Sequence, residues 1–448
     1  MEIQSRKLLN ISFTSVGVMA ILLMAISLVV LLFPIFMKGM GAFVFRETVE
    51  NRELMLQRFG RGNREEVMAD VRETEAARKP VYELMERFEE EMSKADSEFR
   101  RKYRSEYGDI KEMIGELLGP GPGDREGALI RKRYGKVRMD RALAKLDQIL
   151  KVETYDYSDT SSMGKKVLKP RREIFSGTTL EPVFTILEKD INKMMKPGLK
   201  FYWRFLFDKS QDAHFFGGIW PEVLGTLYLS IGAMIFAIPF GIVAAIYLAE
   251  YAGEGRLTRL IRVSISSLAG VPSIVFGLFG LAFFINTMNI SNSKSVMAGS
   301  LTLALLVLPI IIRASEEAIK SVPRGYREAA MSLGGGKWHT IISVVLPAAL
   351  PGILTSIIVS LGRAAGETAP IIFTAAVSVG KPLAIWQTLS QPTPALPWSV
   401  YNLATEHEAV NEIRHVQYGM VLTLVVLVLL LNLTAIIIRK RVSKKLRR

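Results

Sequence analysis

Arg363-Ala364-Ala365-Gly366-Glu367-Thr368 sets two charges between apolar residues 353–361 and 371–379. Pro347 is expected to open this helix. At 1.5 Å per residue Arg363 then lies roughly 24 Å along it, deep in a hydrocarbon core of about 30 Å. A charge at that depth is costly unless it is paired or faces water. Arg363 and Glu367 are four apart, so they share a helix face and can pair. The pair either handles polar cargo or is a buried ion pair that only fixes helix packing. The first reading is favoured, because further apolar runs surround the motif.

Those runs are residues 11–36, 223–248, 263–285, 296–312 and 420–438, beside the motif's own 344–379. The run at 296–312 is the shortest for a crossing. The first run is too long for a signal-peptide core and has no small-residue cleavage pattern, so a retained anchor is expected. The expected fold class is an all-α integral membrane protein with six transmembrane helices. Six spans leave both termini on one side. The cationic tail 439–448, Arg6 and Lys7, Arg256, Arg259 and Arg262, and Lys320, Arg324, Arg327 and Lys337 all fall on that side. That side is therefore cytoplasmic, and the protein multi-pass in the cytoplasmic (inner) membrane. The opposite loop, 286–295, carries only Lys294.

The net charge is +14, but residues 46–212 hold 35 basic and 32 acidic residues and the rest of the chain 22 and 11. The excess thus lies at the cytoplasmic margin, where anionic membrane lipid attracts it. This distribution argues against nucleic acid as a partner. The absence of cysteine excludes disulfides and thiolate metal sites. His214, His339, His407 and His415 form no metal-ligand motif and read as polar loop residues. No cofactor, metal site or catalytic constellation is expected.

Residues 46–212 form a polar insertion that the topology places outside the cytoplasm. Val81, Met85, Phe88, Met92, Ala95, Phe99 and Tyr103 make a helical seam near the heptad spacing of a coiled coil. Pro80 suits a first helical turn. Gly119-Pro120-Gly121-Pro122-Gly123 is expected to break the helix. Leu129, Tyr134, Val137, Leu143, Leu146 and Leu150 then line a second helix, giving an antiparallel hairpin. Residues 151–180 look irregular, and 181–195 read as an amphipathic helix. The insertion is either a spacer or a docking surface for another subunit.

The loop after 296–312 contains Glu328-Ala329-Ala330, Gly334 and Leu346-Pro347. Tyr326 to Leu333 can form a short exposed helix that Gly334 ends with a positive φ. Here the chain resembles the inner-membrane permeases of ABC importers, whose motif is Glu-Ala-Ala, three residues, Gly, nine residues, Ile, one residue, Leu-Pro. Val344 replaces the Ile. Three further segments, from Gly217-Gly218-Ile219-Trp220-Pro221 to Gly225-Thr226-Leu227-Tyr228, Leu268 to Gly280, and Gly362 to Pro370, narrow the resemblance to phosphate permeases. Gly366-Glu367-Thr368-Ala369-Pro370 looks like the PstA-type subunit. The resemblance covers 217–438 and leaves out the insertion.

The resemblance implies a MetI-like permease core and the import of inorganic phosphate. It also implies a PstC-type permease partner, an ATPase subunit dimer and an extracytoplasmic phosphate-binding protein. Glu328, Ala329, Ala330 and Gly334 would then form the coupling helix that docks on the ATPase. The chain itself has no Walker sequence, so it is not expected to be an enzyme. The domains become an anchor helix at 1–45, a helical extracytoplasmic insertion at 46–212, and a permease core at 213–448 with five transmembrane helices and a cytoplasmic coupling loop at 314–343. Arginine presents a fork of donors matched to phosphate oxygens. Arg363 is therefore the first candidate ligand and Arg313 the second, though Arg313 could equally be an interfacial anchor. Glu367 would hold Arg363 or accept from a protonated phosphate oxygen, and Thr368 completes the expected pathway. Gly362 and Gly366 read as a packing pair, and Pro272-Ser273 as a kink. The alternatives are a permease for another oxyanion, or a membrane-anchored sensor or scaffold that works through its external hairpin.

Overall fold

The computed structural model describes residues 2–119, 136–156, 165–211, 213–407 and 410–446. The chain forms two compact units, one of Phe43–Trp203 and one of Met1–Ala42 with Arg204–Arg448. The first compares with the expected insertion boundaries of 46–212.

The chain begins with α1 (Glu2–Met40), whose stretch Phe13–Met40 is long and apolar enough to cross a membrane. None of its most apolar window is buried within the chain, as fits a helix that faces lipid on all sides.

The Phe43–Trp203 unit runs β1 (Val44–Glu47), α2 (Val49–Phe59), α3 (Arg64–Lys94), α4 (Ser97–Leu118), α5 (Met139–Leu150), β2 (Lys151–Asp156), β3 (Lys165–Pro170), α6 (Glu181–Met195) and β4 (Gly198–Phe201). β1 and β4 pair antiparallel with Val44 opposite Phe201, so the entering and leaving chains lie side by side. β2 and β3 form a second antiparallel pair, with Lys151 opposite Pro170. β2 and β3 lie in 151–180, which the sequence reads as irregular.

The helix ends at Leu118 with Gly119 as its cap, where a break is expected, and Lys145 of α5 reaches back to Glu116 at 2.8 Å, but a further turn divides the seam before that. The seam breaks at Ala95, which is extended, and Asp96 restarts the helix by accepting a hydrogen bond from the Phe99 N–H at 2.8 Å. α3 and α4 then run antiparallel: Tyr107 Oη lies 3.3 Å from the Met85 carbonyl, and Tyr82 Oη donates to the Gly119 carbonyl at 3.0 Å. Sequence periodicity missed the turn because the seam keeps its spacing across it. Pro80 is not in a first turn; it lies inside α3. Residues 120–123, Leu129 and Tyr134, assigned above to the breaker and the second helix, lie outside the described residues.

Phe88 is fully buried at the centre of this unit. Its ring lies 5.0 Å from Tyr107, 6.2 Å from Tyr103 and 5.8 Å from Phe175. Such tilted and edge-on aromatic contacts add to simple area burial. Arg78 crosses the same interior. It donates to Glu50 at 2.5 Å, to the Met194 carbonyl at 3.0 Å through Nε, and to the Leu118 carbonyl at 2.9 Å. One guanidinium thus joins α2, α3, the end of α4 and α6.

The other unit continues with α7 (Trp220–Ile246), α8 (Arg256–Ala269), α9 (Ser273–Gly280), α10 (Val296–Lys320), α11 (Arg324–Ser332), α12 (Lys337–Thr340), α13 (Leu346–Gly366), α14 (Ala369–Thr374), α15 (Leu396–Thr405) and α16 (Val410–Leu446). Among the described residues five helices are long and apolar enough to cross a membrane, six if one bent pair counts as a span. That pair stands where a third span is expected at 263–285, and it bends at the kink expected at Pro272-Ser273. α8 and Ser273–Thr287 meet at 100°. Pro272 starts the new helix where its missing N–H is harmless.

α10 lies at the centre of this unit, with 67% of its apolar window buried. Small residues set its neighbours' approach. A Cβ on Gly241 of α7 would stand 2.6 Å from Ile311, and one on Gly352 of α13 would stand 2.7 Å from Ala318. Close packing of this kind holds helices together where lipid removes the hydrophobic drive between them. α10 and α13 run antiparallel, as Ser315 and Ser356 meet at 3.3 Å and Gly352 faces Ala318. The end of α1 packs on α16 in the same way, with Gly39 against Leu422.

Two outcomes test the insertion. Arg78→Met leaves the Glu50 carboxylate and two carbonyls buried without their donor, and should destabilise the unit by roughly 3–5 kcal/mol. Hydrogen exchange across 43–203 in the full chain should rise sharply, with the membrane helices unchanged. The second concerns acid. Burial pushes the Glu89 carboxyl up, but the hydrogen bonds from Lys111 and Tyr107 outweigh it, so Glu89 titrates below its ordinary value of 4.5. The unfolded chain then takes up the proton first, and stability falls as pH drops below 4.5. Glu89→Gln should blunt this loss, measured as protease resistance of the insertion against pH.

Candidate functional site

The charged motif closes a helix rather than interrupting one. α12, the wide turn Ile341–Val345 and α13 form a single 30-residue candidate span, Lys337–Gly366. The helix begins ten residues before Pro347, so Arg363 lies in its last turn and not midway along it. Glu367 leaves the helix with φ −75° and ψ 132°. A continued helix would need Pro370 to donate to Gly366, which it cannot do. The chain restarts as α14, with half-buried Thr368 at its head.

Arg363 Nε donates to Glu367 Oε1 at 3.1 Å. The Arg363 side chain is 39% exposed and that of Glu367 19%. The two Nη groups of Arg363 make no hydrogen bond among the described residues. Arg363 is thus oriented by one carboxylate and keeps its outer edge available for an oxyanion. Beneath it, Asn432 of α16 lies on Gly362: a Cβ there would meet the Asn432 amide at 3.3 Å. This fits Gly362 as a packing residue.

Arg313 does not join this pair. α10 continues to Lys320, so Arg313 sits inside a helix and not at its end. The antiparallel register sets Arg363 level with about Leu308, some 7–8 Å along the axis from Arg313. Arg313 instead donates to Ser266 of α8.

The loop helix α11 has no buried residue, and Glu328 and Ala329 are exposed while Ala330 is half-buried. Pro323 precedes it, and Gly334 ends it at φ +83°, a conformation that favours glycine. Arg327 holds it in place. Its Nε and Nη2 donate to Glu250 at 3.0 and 2.6 Å, and it also donates to the Val322 and Ile319 carbonyls at 2.6 and 2.9 Å. Glu250 belongs to the wide turn Tyr247–Tyr251 that ends α7. The helix is therefore tied to the ends of α7 and α10 at once. Tyr326, Met331, Leu333 and Trp338 are left exposed around it.

Sequence reading did not find Arg327 as an anchor, since its partner Glu250 is 77 residues away. It also misjudged His214. That ring is buried, with Nε2 2.9 Å from Glu222 Oε1, and Glu222 has no exposed surface. The available signal was an acidic residue in the first turn of an apolar helix. Among the described residues no group of His, Asp and Glu could hold a metal ion.

The family of binding-protein-dependent transport system inner membrane components matches residues 237–448. The chain is 38% identical over 225 residues to phosphate transport system permease protein PstA 1 of Mycobacterium tuberculosis (strain CDC 1551 / Oshkosh), covering 50% of this chain and 71% of that protein. It is 32% identical over 253 residues to the probable ABC transporter permease protein YqgI of Bacillus subtilis (strain 168), covering 54% and 85%. Among solved structures, the MetNI methionine ABC transporter in an inward-facing conformation aligns with a TM-score of 0.39 at 18% identity, over 50% of this chain and 94% of that one.

The anchoring role of Arg327 has a direct test. Arg327→Gln removes both bonds to Glu250, and hydrogen exchange across 324–332 should rise at least tenfold for a loss of about 1.5–3 kcal/mol. Exchange in α7 and α10 should stay as it was.

Proposed function

The chain belongs to the PstA family of phosphate transport permeases, and on that premise we propose that it is the permease subunit of an ATP-driven importer that carries inorganic phosphate across the cytoplasmic membrane into the cell. The observation that carries this reading is the Arg363–Glu367 pair, one hydrogen bond at 3.1 Å that leaves both Nη groups of Arg363 without a partner among the described residues. An arginine serving structure alone uses its fork, as Arg327 does. One that must take and release a dianion or monoanion keeps it open. Glu367 orients the guanidinium between substrates and can accept from a protonated phosphate oxygen, which sulfate lacks at neutral pH. Thr368 adds a hydroxyl at the head of α14.

In this reading α11 is the coupling helix. Glu328, Ala329, Ala330 and Gly334 present it to an ATPase subunit dimer that performs the hydrolysis. A PstC-type permease is the membrane partner, and an extracytoplasmic phosphate-binding protein delivers the anion. Both termini are cytoplasmic, and the insertion is extracytoplasmic.

The decisive measurement is phosphate uptake by Arg363→Gln, Glu367→Gln and the double variant, with assembly followed by co-purification of the ATPase. Arg363→Gln should abolish uptake. If the pair were only structural, Arg363→Gln would strand Glu367 and weaken assembly by roughly 3–5 kcal/mol, and the double variant would restore assembly and transport together. In the transport reading the double variant assembles and does not transport. Normal uptake by the double variant would sink the assignment.

A further inference from the structure

We propose that the cleft between α8 and α10 holds the phosphate group of an anionic membrane lipid, with α8 lying in the membrane interface. Three observations meet here. The first is the shape of α8. At roughly 100° per residue, Arg256, Arg259, Arg262 and Ser266 share one side, and Leu257, Leu260, Ile261, Ile265 and Leu268 the other. No residue of α8 is buried, and Leu257 and Leu260 are 71% and 62% exposed. A short helix with a basic side and an exposed apolar side suits the boundary of headgroups and acyl chains.

The second is the bend. α8 turns 100° from the apolar helix that follows it, so the two need not both cross the bilayer. α8 can lie along the surface while its successor enters the membrane.

The third is the cleft itself, a cavity of about 300 Å³ whose charged lining is Arg259, Arg262, Arg313, Lys320, Glu316 and Glu317, with the Ser266 hydroxyl beside them. Its charges are unevenly spent. Glu316 is shared by Arg262 at 2.8 Å and Lys320 at 2.6 Å. Arg313 meets only the neutral Ser266 hydroxyl, and Arg259 meets no carboxylate among the described residues. Glu317 also lines the cavity and makes no ion pair among the described residues, so four cations face two carboxylates and the cavity is left short of counter-charge. A phosphate oxyanion supplies it, and arginine suits that geometry. A lipid and free phosphate offer the same group. The lipid is the occupant we assign, because the apolar side of α8 is exposed beside the cleft and would be covered by acyl chains. This inference stands apart from the transport reading of Arg363.

The test is titration of the detergent-extracted full chain with short-chain phosphatidylglycerol, phosphatidylcholine or inorganic phosphate, with bound ligand counted by native mass spectrometry. Phosphatidylglycerol should bind more tightly than phosphatidylcholine. Arg259→Gln and Arg313→Gln should each weaken it about fivefold, and together about thirtyfold. Arg256→Gln, on the same helix but outside the cavity lining, should leave binding unchanged. Arg259 makes no ion pair to lose, so that single variant carries the test should the double variant misfold. Undiminished phosphatidylglycerol binding by Arg259→Gln and by the double variant would overturn the site. So would equal affinity for phosphatidylcholine, or an equal loss in Arg256→Gln, which would mean diffuse attraction. Displacement of phosphatidylglycerol by inorganic phosphate would assign the cleft to the free anion and overturn the lipid.

Discussion

Close packing of small residues against α10 is the constraint on which the membrane unit depends. Between helices in lipid, association comes from tight van der Waals contact and not from escape from water. Gly241 against Ile311 and Gly352 against Ala318 bring α7 and α13 to α10 with no room for a further carbon. The antiparallel register of α13 follows from that contact, and the register in turn sets how far Arg363 lies from Arg313. The C-terminal end of α7 is brought near the C-terminal end of α10, which lets Arg327 reach Glu250 and the Val322 and Ile319 carbonyls together.

The arginines of this unit divide by how much of the guanidinium fork is used. Arg327 spends it on one carboxylate and two carbonyls, which suits a residue that fixes a helix. Arg262 bonds Glu316 and the Leu248 carbonyl. Arg363 gives a single bond to Glu367 and presents the rest. The number of satisfied donors, more than depth in an apolar run, separates a fastening arginine from one that can exchange partners. The cost of an unpaired charge in a water-poor setting makes that difference meaningful.

The Phe43–Trp203 unit follows a different logic. It buries Phe88, Phe175, Phe184 and their aliphatic neighbours as a water-soluble domain does, and burial of apolar surface is its main stabilising term. Several charged side chains are buried in it, and Arg78 is admitted because three separate partners satisfy it. β1 and β4 bring the two ends of the unit side by side.

Much of this was legible in the chain itself. Long apolar runs determined where membrane helices form, because the bilayer requires about twenty such residues. The spacing of Glu328-Ala329-Ala330 and Gly334 determined the loop helix, because Gly334 alone there takes positive φ without strain. The i, i+4 spacing of Arg363 and Glu367 determined their pairing. Tertiary structure decided the rest. It turned the hairpin at Ala95, where the heptad seam shows no interruption. It set the size of the bend in the third apolar run, 100° at the Pro272-Ser273 kink. It moved Arg363 to the end of its span, since local hydropathy does not show that the helix begins at Lys337. It gave Arg327 its partner and buried His214 on Glu222. Periodicity and hydropathy are local quantities, whereas a partner across 77 residues of chain exists only once the helices have packed.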